Sequence, residues 1–327
     1  MNEKICLITG ANGFIGSALI RAIESKTSPH SFNIEPRGAV RSLAKMDSIA
    51  KISSTIAVGN IDAKTGWKIA LSGVDCVIHT AARAHLLKDS ATSPLEEFRL
   101  VNVCGTVRLA KECIKVGVRR FIYISSIGVN GDQTYCTAFD QESSPDPKSP
   151  YAISKLEAEV ELTKIFANSN TDLVIVRPPL VYGPNAPGNF GKLLRVIQFG
   201  LPLPFGAIIN RRSFIGIDNL CDFILKCIDH PNAANKTFLI SDNDDVSTPE
   251  LVRSIGYALD KKIRLMYIPC WFLRILLRLL RREGMSRQLM SDLRIDISRS
   301  MDVLGWSPLL SLKQGLKKYL NNPLDQE

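Results

Sequence analysis

KICLITGANGFIG, residues 4–16, runs from a short apolar stretch into glycines at 10, 13 and 16, and on into GSALIRAI, whose apolar residues recur at helical spacing. A strand, a glycine turn and a helix, in that order, make the kind of turn that cradles a phosphate. The tight turn, the approach of backbone N–H groups to a pyrophosphate, and the packing of helix on strand each exclude a Cβ. Three glycines alone fit any tight βα turn. The flanking strand and helix point to dinucleotide binding.

Outward from this turn, KICLIT, AVR near 39–41, TIAVG, VDCVIHTAA, RRFIYISS and TDLVIVRP read as strands separated by amphipathic segments. That alternation predicts an α/β fold, a Rossmann-type doubly wound parallel sheet covered by helices on both faces. The longest helical patterns cover roughly 93–116, closed by Gly117, and 150–168, opened by Ser149 before Pro150. After RPPLVYGPNAPGNFG, Pro and Gly punctuate a loop and the rhythm changes. The expected division is a dinucleotide-binding domain over 1–177 and a smaller C-terminal substrate-binding lobe over 178–327, with part of 208–240 returning to the sheet.

The second strand ends at Arg41 and Ser42, where a cofactor with a free 2′-hydroxyl would ordinarily meet an acid. A guanidinium there suits a 2′-phosphate, with Arg37 as a helper, so NADP(H) is the preferred cofactor. NAD(H) is the alternative, since Glu35 is nearby. SPYAISKLEAE, residues 149–159, then places Tyr151 and Lys155 four apart on one helical face. A close ammonium favours phenolate and lets the phenol exchange a proton with a carbonyl or alcohol oxygen.

TGANGFIG, the Tyr151/Lys155 pair, Ser126 upstream of it, and Asn102 in VNVCGT together resemble the extended short-chain dehydrogenase/reductases. VGNI (58–61), VIHTAA (77–82), RPPLVYGP (177–184), RSFIGID (212–218) and LGWSP (304–308) extend the resemblance over almost the whole chain. Within that superfamily the chain is similar to the UDP-glucose 4-epimerase-like, NAD-dependent epimerase/dehydratase branch. HTAARAH, ISSIGVNG and NRRSFIGIDN are most similar to bacterial surface-polysaccharide enzymes, including reductases that produce UDP-N-acetylquinovosamine.

The resemblance implies roles. Tyr151 would be the acid/base at the sugar C4 oxygen, Ser126 would hydrogen-bond the same oxygen, and Lys155 would hold the nicotinamide ribose and depress the tyrosine pKa. Gly10, Asn12, Gly13, Phe14, Ile15 and Gly16 would surround the cofactor phosphates, with Arg41 beyond them. Asn60 and Ile61 would contact adenine, Ala81 and Ala82 would face the cofactor, and Asn102 would support the active-site backbone. Arg212 would clamp the nucleotide-sugar pyrophosphate, a task suited to a bidentate fork, while Arg83 and Asn189 join the substrate set. His85 is equally an ordinary loop histidine. Two departures stand out: Val129, Asn130 and Gly131 replace a common VYG and alter one pocket wall, and a later RxGD arginine is absent, leaving Arg287 or Arg294 as substitutes.

Three functions compete. NADPH-dependent reduction of a UDP-4-keto-6-deoxy-N-acetylhexosamine leads; a UDP-glucose or UDP-N-acetylglucosamine 4-epimerase with retained NAD uses the same residues without net redox change. A non-catalytic cofactor-binding protein is the reading of another class. A 4,6-dehydratase adds an acid pair beside the Ser/Thr, and Ser126 is followed here by Ile127 and Gly128.

With 45% apolar and 22% charged residues the 327-residue chain is of ordinary globular composition. No signal peptide is visible, and eight cysteines without CxxC spacing read as reduced thiols of a cytoplasmic protein; no metal site is expected. The net charge of +9 is concentrated in 261–299, where ten Lys/Arg face three acids, and no nucleic-acid reading motif accompanies it. WFLRILLRLLRR, residues 271–282, is too short to span a bilayer. It reads as a substrate-lobe helix with apolar residues in the core and solvated arginines, Arg281 and Arg282 included; the alternative is a peripheral membrane contact. By resemblance, the helices near 93–116 and 150–168 would pair in a homodimer.

Overall fold

The structure, a computed structural model, describes residues 3–31, 33–43, 54–84, 93–280 and 283–321. Along the chain run β1 (Lys4–Thr9), α1 (Phe14–Glu24), β2 (Ile34–Val40), β3 (Thr55–Ala57), β4 (Cys76–His79), α2 (Pro94–Arg99), a π-helical segment (Leu100–Gly105), α3 (Thr106–Val116), β5 (Arg120–Ile124), α4 (Pro150–Phe166), β6 (Asp172–Arg177), β7 (Leu180–Tyr182) and α5 (Asn189–Gln198). There follow β8 (Phe214–Gly216), α6 (Ile217–Asp229), β9 (Lys236–Leu239), α7 (Thr248–Ala258), α8 (Cys270–Leu279), α9 (Glu283–Met290), α10 (Ser298–Leu304) and α11 (Leu312–Leu320).

Seven strands form a parallel sheet in the order β3-β2-β1-β4-β5-β6-β9. Its central strands β1, β4, β5 and β6 are largely buried on both faces because helices cover both. Cys6 and Ile8 of β1 join the core under α1 and α6, whereas Leu7 between them joins the core under α3 and α4. The same alternation holds in β5, where Ile122 and Phe121 part to opposite faces. Strand order reverses between β1 and β4, which opens a crevice at the carboxyl ends of these strands.

Local signals account for the helix ends. Ser149 accepts from the Ala152 N–H with Pro150 in the first turn of α4, and Gly117 closes α3 in the left-handed conformation at φ 77°. The expected helix over 93–116 is a continuous helical run whose middle, Leu100–Gly105, widens to π geometry around Asn102. The second strand begins five residues earlier than expected, at Ile34, because Pro36 and Gly38 lie inside it and neither is a strand former.

β9 forms the far edge of the sheet beside β6, while β7 and β8 pair separately in parallel. LGWSP acquires a physical role here: Trp306 packs edge-on against Phe223 at 4.9 Å and donates from Nε1 to Asp222 at 2.8 Å, and Asp222 also takes the Ser28 hydroxyl at 2.6 Å. The C-terminal segment is thus tied to the N-terminal half through one carboxylate.

One expectation fails in α8. Trp271, Phe272, Ile275, Leu276 and Leu279 are exposed rather than in the core, and of the helix only Leu273 is buried. Arg281 and Arg282 lie outside the described residues.

Candidate active site

The crevice at the strand ends is a cleft of about 1630 Å³. Gly10 has φ +66°, and a Cβ there would lie 2.9 Å from Ala81 Cα; a Cβ on Gly16 would lie 2.2 Å from the Gly10 carbonyl oxygen. The first glycine provides a backbone conformation that L side chains rarely adopt, the second lets α1 approach β1. Gly10, Asn12, Gly13, Phe14 and Ile15 line the cleft; Gly16 supports the turn from behind. Gly16→Ala is expected to weaken dinucleotide binding by at least about tenfold, measurable by titration of nucleotide fluorescence, because the displaced carbonyl belongs to backbone that cannot yield.

Arg41, Asn60, Ile61, Ala81 and Ala82 also line the cleft. Arg41 is exposed at the end of β2. Arg37 is not its helper: it lies mid-strand opposite Leu7, and its guanidinium donates to the carbonyls of Ala70 and Ser72 at 3.2 and 2.5 Å. Glu35 is opposite Ile5 near the start of the strand, so no carboxylate of β2 reaches its carboxyl end.

Tyr151, Lys155 and Ser126 all line the cleft. Ser126 Oγ accepts from the Gly128 N–H at 3.1 Å, which leaves its hydroxyl proton to donate outward. Lys155 Nζ donates to the Ile124 carbonyl at 2.7 Å and lies 4.5 Å over the Tyr123 ring, against 5.9 Å to the ring of Tyr151. Behind them, Asn102 donates to Ser154 Oγ at 3.0 Å and exchanges bonds with the backbone of Arg83, while Ser154 returns a bond to the Tyr151 carbonyl at 2.8 Å. Asn102 does not itself line the cleft. It locks the strand-end loop to the first turn of α4.

Burial raises Tyr151 to about 12 and lowers Lys155 to about 7, the charge of Glu159 opposing the latter shift. Against the expectation of a phenol drawn toward phenolate by Lys155, burial moves Tyr151 the other way, and the Lys155 Nζ lies 5.9 Å from its ring. His79, held between Thr9 and Thr106 at 2.7 and 2.9 Å, is pushed by burial to about 3 and stays neutral.

These shifts set a stability profile. Because native Lys155 titrates below its unfolded value of ~10.4, the unfolded chain binds more protons above about pH 7, and stability rises with pH there. Tyr151 acts oppositely, but only above ~10, and the contribution of His79 is complete by ~6.5. Between pH 7 and 8 the protein without ligand should therefore gain up to ~1 kcal/mol per pH unit in urea unfolding, and Lys155→Met should flatten that slope.

Arg212 spans two neighbours, bridging to Val246 and Leu293, and donates from Nη1 to the Ser291 carbonyl at 2.9 Å. Burial lowers it to about 10 against the nearby charges of Asp132 and Asp292. Arg212 and Asn189 line the cleft, the latter bonded to Gln288 of α9. Arg83 lines it too, 3.7 Å from Glu97 and 5.8 Å above the Phe98 ring. Of the two substitute arginines, Arg287 reaches the cleft, paired with Asp132 at 2.9 Å, whereas Arg294 turns to the carbonyls of Tyr135 and Cys136. His85 lies outside the described residues.

Asn130 does not form a pocket wall. It accepts from Arg177 Nη1 at 3.0 Å, and Arg177 is bound through two nitrogens to Glu159 at 3.0 and 2.5 Å in a buried pair. Sequence reading missed this pair, for which Glu159 four residues beyond Lys155 was the available signal.

Comparison with known proteins shows the family. Residues 6–241 match the NAD dependent epimerase/dehydratase family. The chain belongs to that family. A curated UDP-glucose 4-epimerase of Vibrio cholerae is 40% identical to this epimerase/dehydratase-family enzyme over 317 residues, covering 96% of this chain and 94% of the relative. An N-acetyl-alpha-D-glucosaminyl-diphospho-ditrans,octacis-undecaprenol 4-epimerase of Escherichia coli O157:H7 is 30% identical over 82% of this chain and 76% of its own length. The fold matches UDP-glucuronic acid 4-epimerase of Bacillus cereus in complex with NAD, with a TM-score of 0.76 at 23% identity, over 97% of this chain and 98% of that one. This family member is thus an enzyme of nucleotide-sugar epimerase/dehydratase type.

Proposed function

We propose that this enzyme reduces the C4 ketone of a UDP-4-keto-6-deoxy-N-acetylhexosamine with NADPH, giving UDP-N-acetylquinovosamine or its C4 epimer. The observation that carries this reading is Arg41, exposed at the cofactor end of the cleft, with Glu35 far from the carboxyl end of the same strand. The glycine cradle that a Cβ would fill fits a dinucleotide phosphate. Such a nicotinamide dinucleotide, when bound, supplies the hydride.

The chain's own groups do the rest. Tyr151, protonated at neutral pH, gives its proton to the C4 oxygen, and Ser126 donates a hydrogen bond to the same oxygen as charge develops on it. Lys155 sets the charge beside the phenol and holds the nicotinamide ribose. Arg212 binds the UDP diphosphate, with Arg287 at the same end of the cleft. We assign the products to surface-polysaccharide precursors, on the resemblance carried by ISSIGVNG and NRRSFIGIDN, and a homodimer to the pairing of α3 and α4 with their symmetry mates.

A 4-epimerase with retained NAD is the second reading, favoured by the 40% identical Vibrio cholerae relative. The two differ at Arg41. Under the reductase reading the protein binds NADPH more tightly than NADH, and Arg41→Ala erases a preference of about 10- to 100-fold, the strength of a charge-assisted contact with phosphate. Equal binding of the two nucleotides by the unaltered protein would remove the support for NADPH.

A further inference from the structure

We infer that α8 docks this protein on an anionic lipid surface. The inference does not depend on which C4 chemistry the cleft performs. Residues 261–280 hold five cations and no Asp or Glu, and Lys261, Lys262, Arg264, Arg274 and Arg278 are all exposed. The helix is anchored by Leu273, 6% exposed, which packs with Ile208 and Met290 while Leu277 turns the same way.

Helical geometry then orients the remainder. Opposite Leu273 lie Trp271, Ile275 and Leu279, which are 64%, 51% and 77% exposed. Arg274 and Arg278 flank this stripe on one side, Phe272 and Leu276 on the other. At the helix start Cys270 contacts the Ala207 carbonyl at 3.5 Å, and Ile209, two residues on from Ala207, is 92% exposed.

An aromatic and aliphatic stripe flanked by cations is what a helix needs to lie in a bilayer interface, with apolar groups at the acyl boundary and cations at the phosphates. Charge selects this occupant over a second copy of the chain. Two such faces would bring cations together with no acid in 261–280 to offset them. Among the described residues no helix is long and apolar enough to cross a membrane, so the contact is peripheral. α8 packs on α9, whose Met285, Arg287 and Gln288 line the cleft, and docking therefore holds the cleft beside the bilayer.

The test is sedimentation of the full-length protein with sucrose-loaded phosphatidylcholine vesicles, with and without phosphatidylglycerol, at low and high salt. Binding should require phosphatidylglycerol and weaken with salt. Arg274→Glu should reduce it by about tenfold or more, and Ile275→Glu should abolish it, while turnover of soluble substrate by both variants remains unchanged and reports that they fold. Absence of pelleting, equal binding to neutral vesicles, or unaltered binding by both variants would overturn the inference. So would self-association of the unaltered protein, broken by Ile275→Glu, without vesicle binding.

Discussion

Tyr151→Phe is expected to lower kcat by about 10²–10⁴-fold while leaving nucleotide affinity close to that of the unaltered protein. The expectation follows from what the hydroxyl alone contributes. Phe retains the ring, its edge-on packing at 6.0 Å from Phe98 and the backbone bonds of the first turn of α4, so only the transferable proton disappears. Because burial keeps the phenol protonated up to about 12, the group starts as an acid throughout the neutral range. The loss should therefore show no pH at which it recovers between 6 and 9. A protein that only binds its cofactor would be indifferent to this substitution. Rates and nucleotide affinities measured side by side separate the two cases.

Glu159→Ala should destabilise the fold by about 3–5 kcal/mol, read as a shift in denaturation midpoint, because it leaves the Arg177 guanidinium buried without its counter-charge. Both side chains are almost fully enclosed, and the pair is bidentate. Asn130 remains as one acceptor, which is too little to replace a carboxylate. Substituting Leu for Glu159 and Met for Arg177 together should cost less than the sum of the single changes, since no lone charge is then trapped. A second readout links the pair to the cleft. The Glu159 charge supports protonation of Lys155, so its removal should move the neutral-pH stability slope to lower pH.

What could be read from the sequence follows a physical division. The glycine turn, the ends of α3 and α4, and the Tyr151/Lys155 spacing are requirements on local backbone, and local backbone is encoded by neighbouring residues. Arg37 shows the limit, since it lies in mid-strand four residues before Arg41, and only the packed sheet reveals the carbonyls of Ala70 and Ser72 as its partners. The Glu159–Arg177–Asn130 network joins α4, β6 and the segment after β5, and the helical spacing that sets Glu159 beside Lys155 does not name Arg177 as its partner. The same holds for α8: apolar residues on most of its faces do not say which one is covered, and Leu273, with Leu277 beside it, decides it. The sign of the Tyr151 shift is equally hidden in the sequence, because burial, which causes it, is a property of the folded cleft.

The central claim is hydride delivery to C4 of a keto nucleotide sugar, with the proton from Tyr151. Incubating the purified enzyme with the UDP-4-keto-6-deoxy-N-acetylhexosamine and NADPH tests it most directly. One NADPH should be oxidised for each C4 alcohol formed. Absence of NADPH oxidation, together with interconversion of UDP-GlcNAc and UDP-GalNAc on retained NAD, would contradict it.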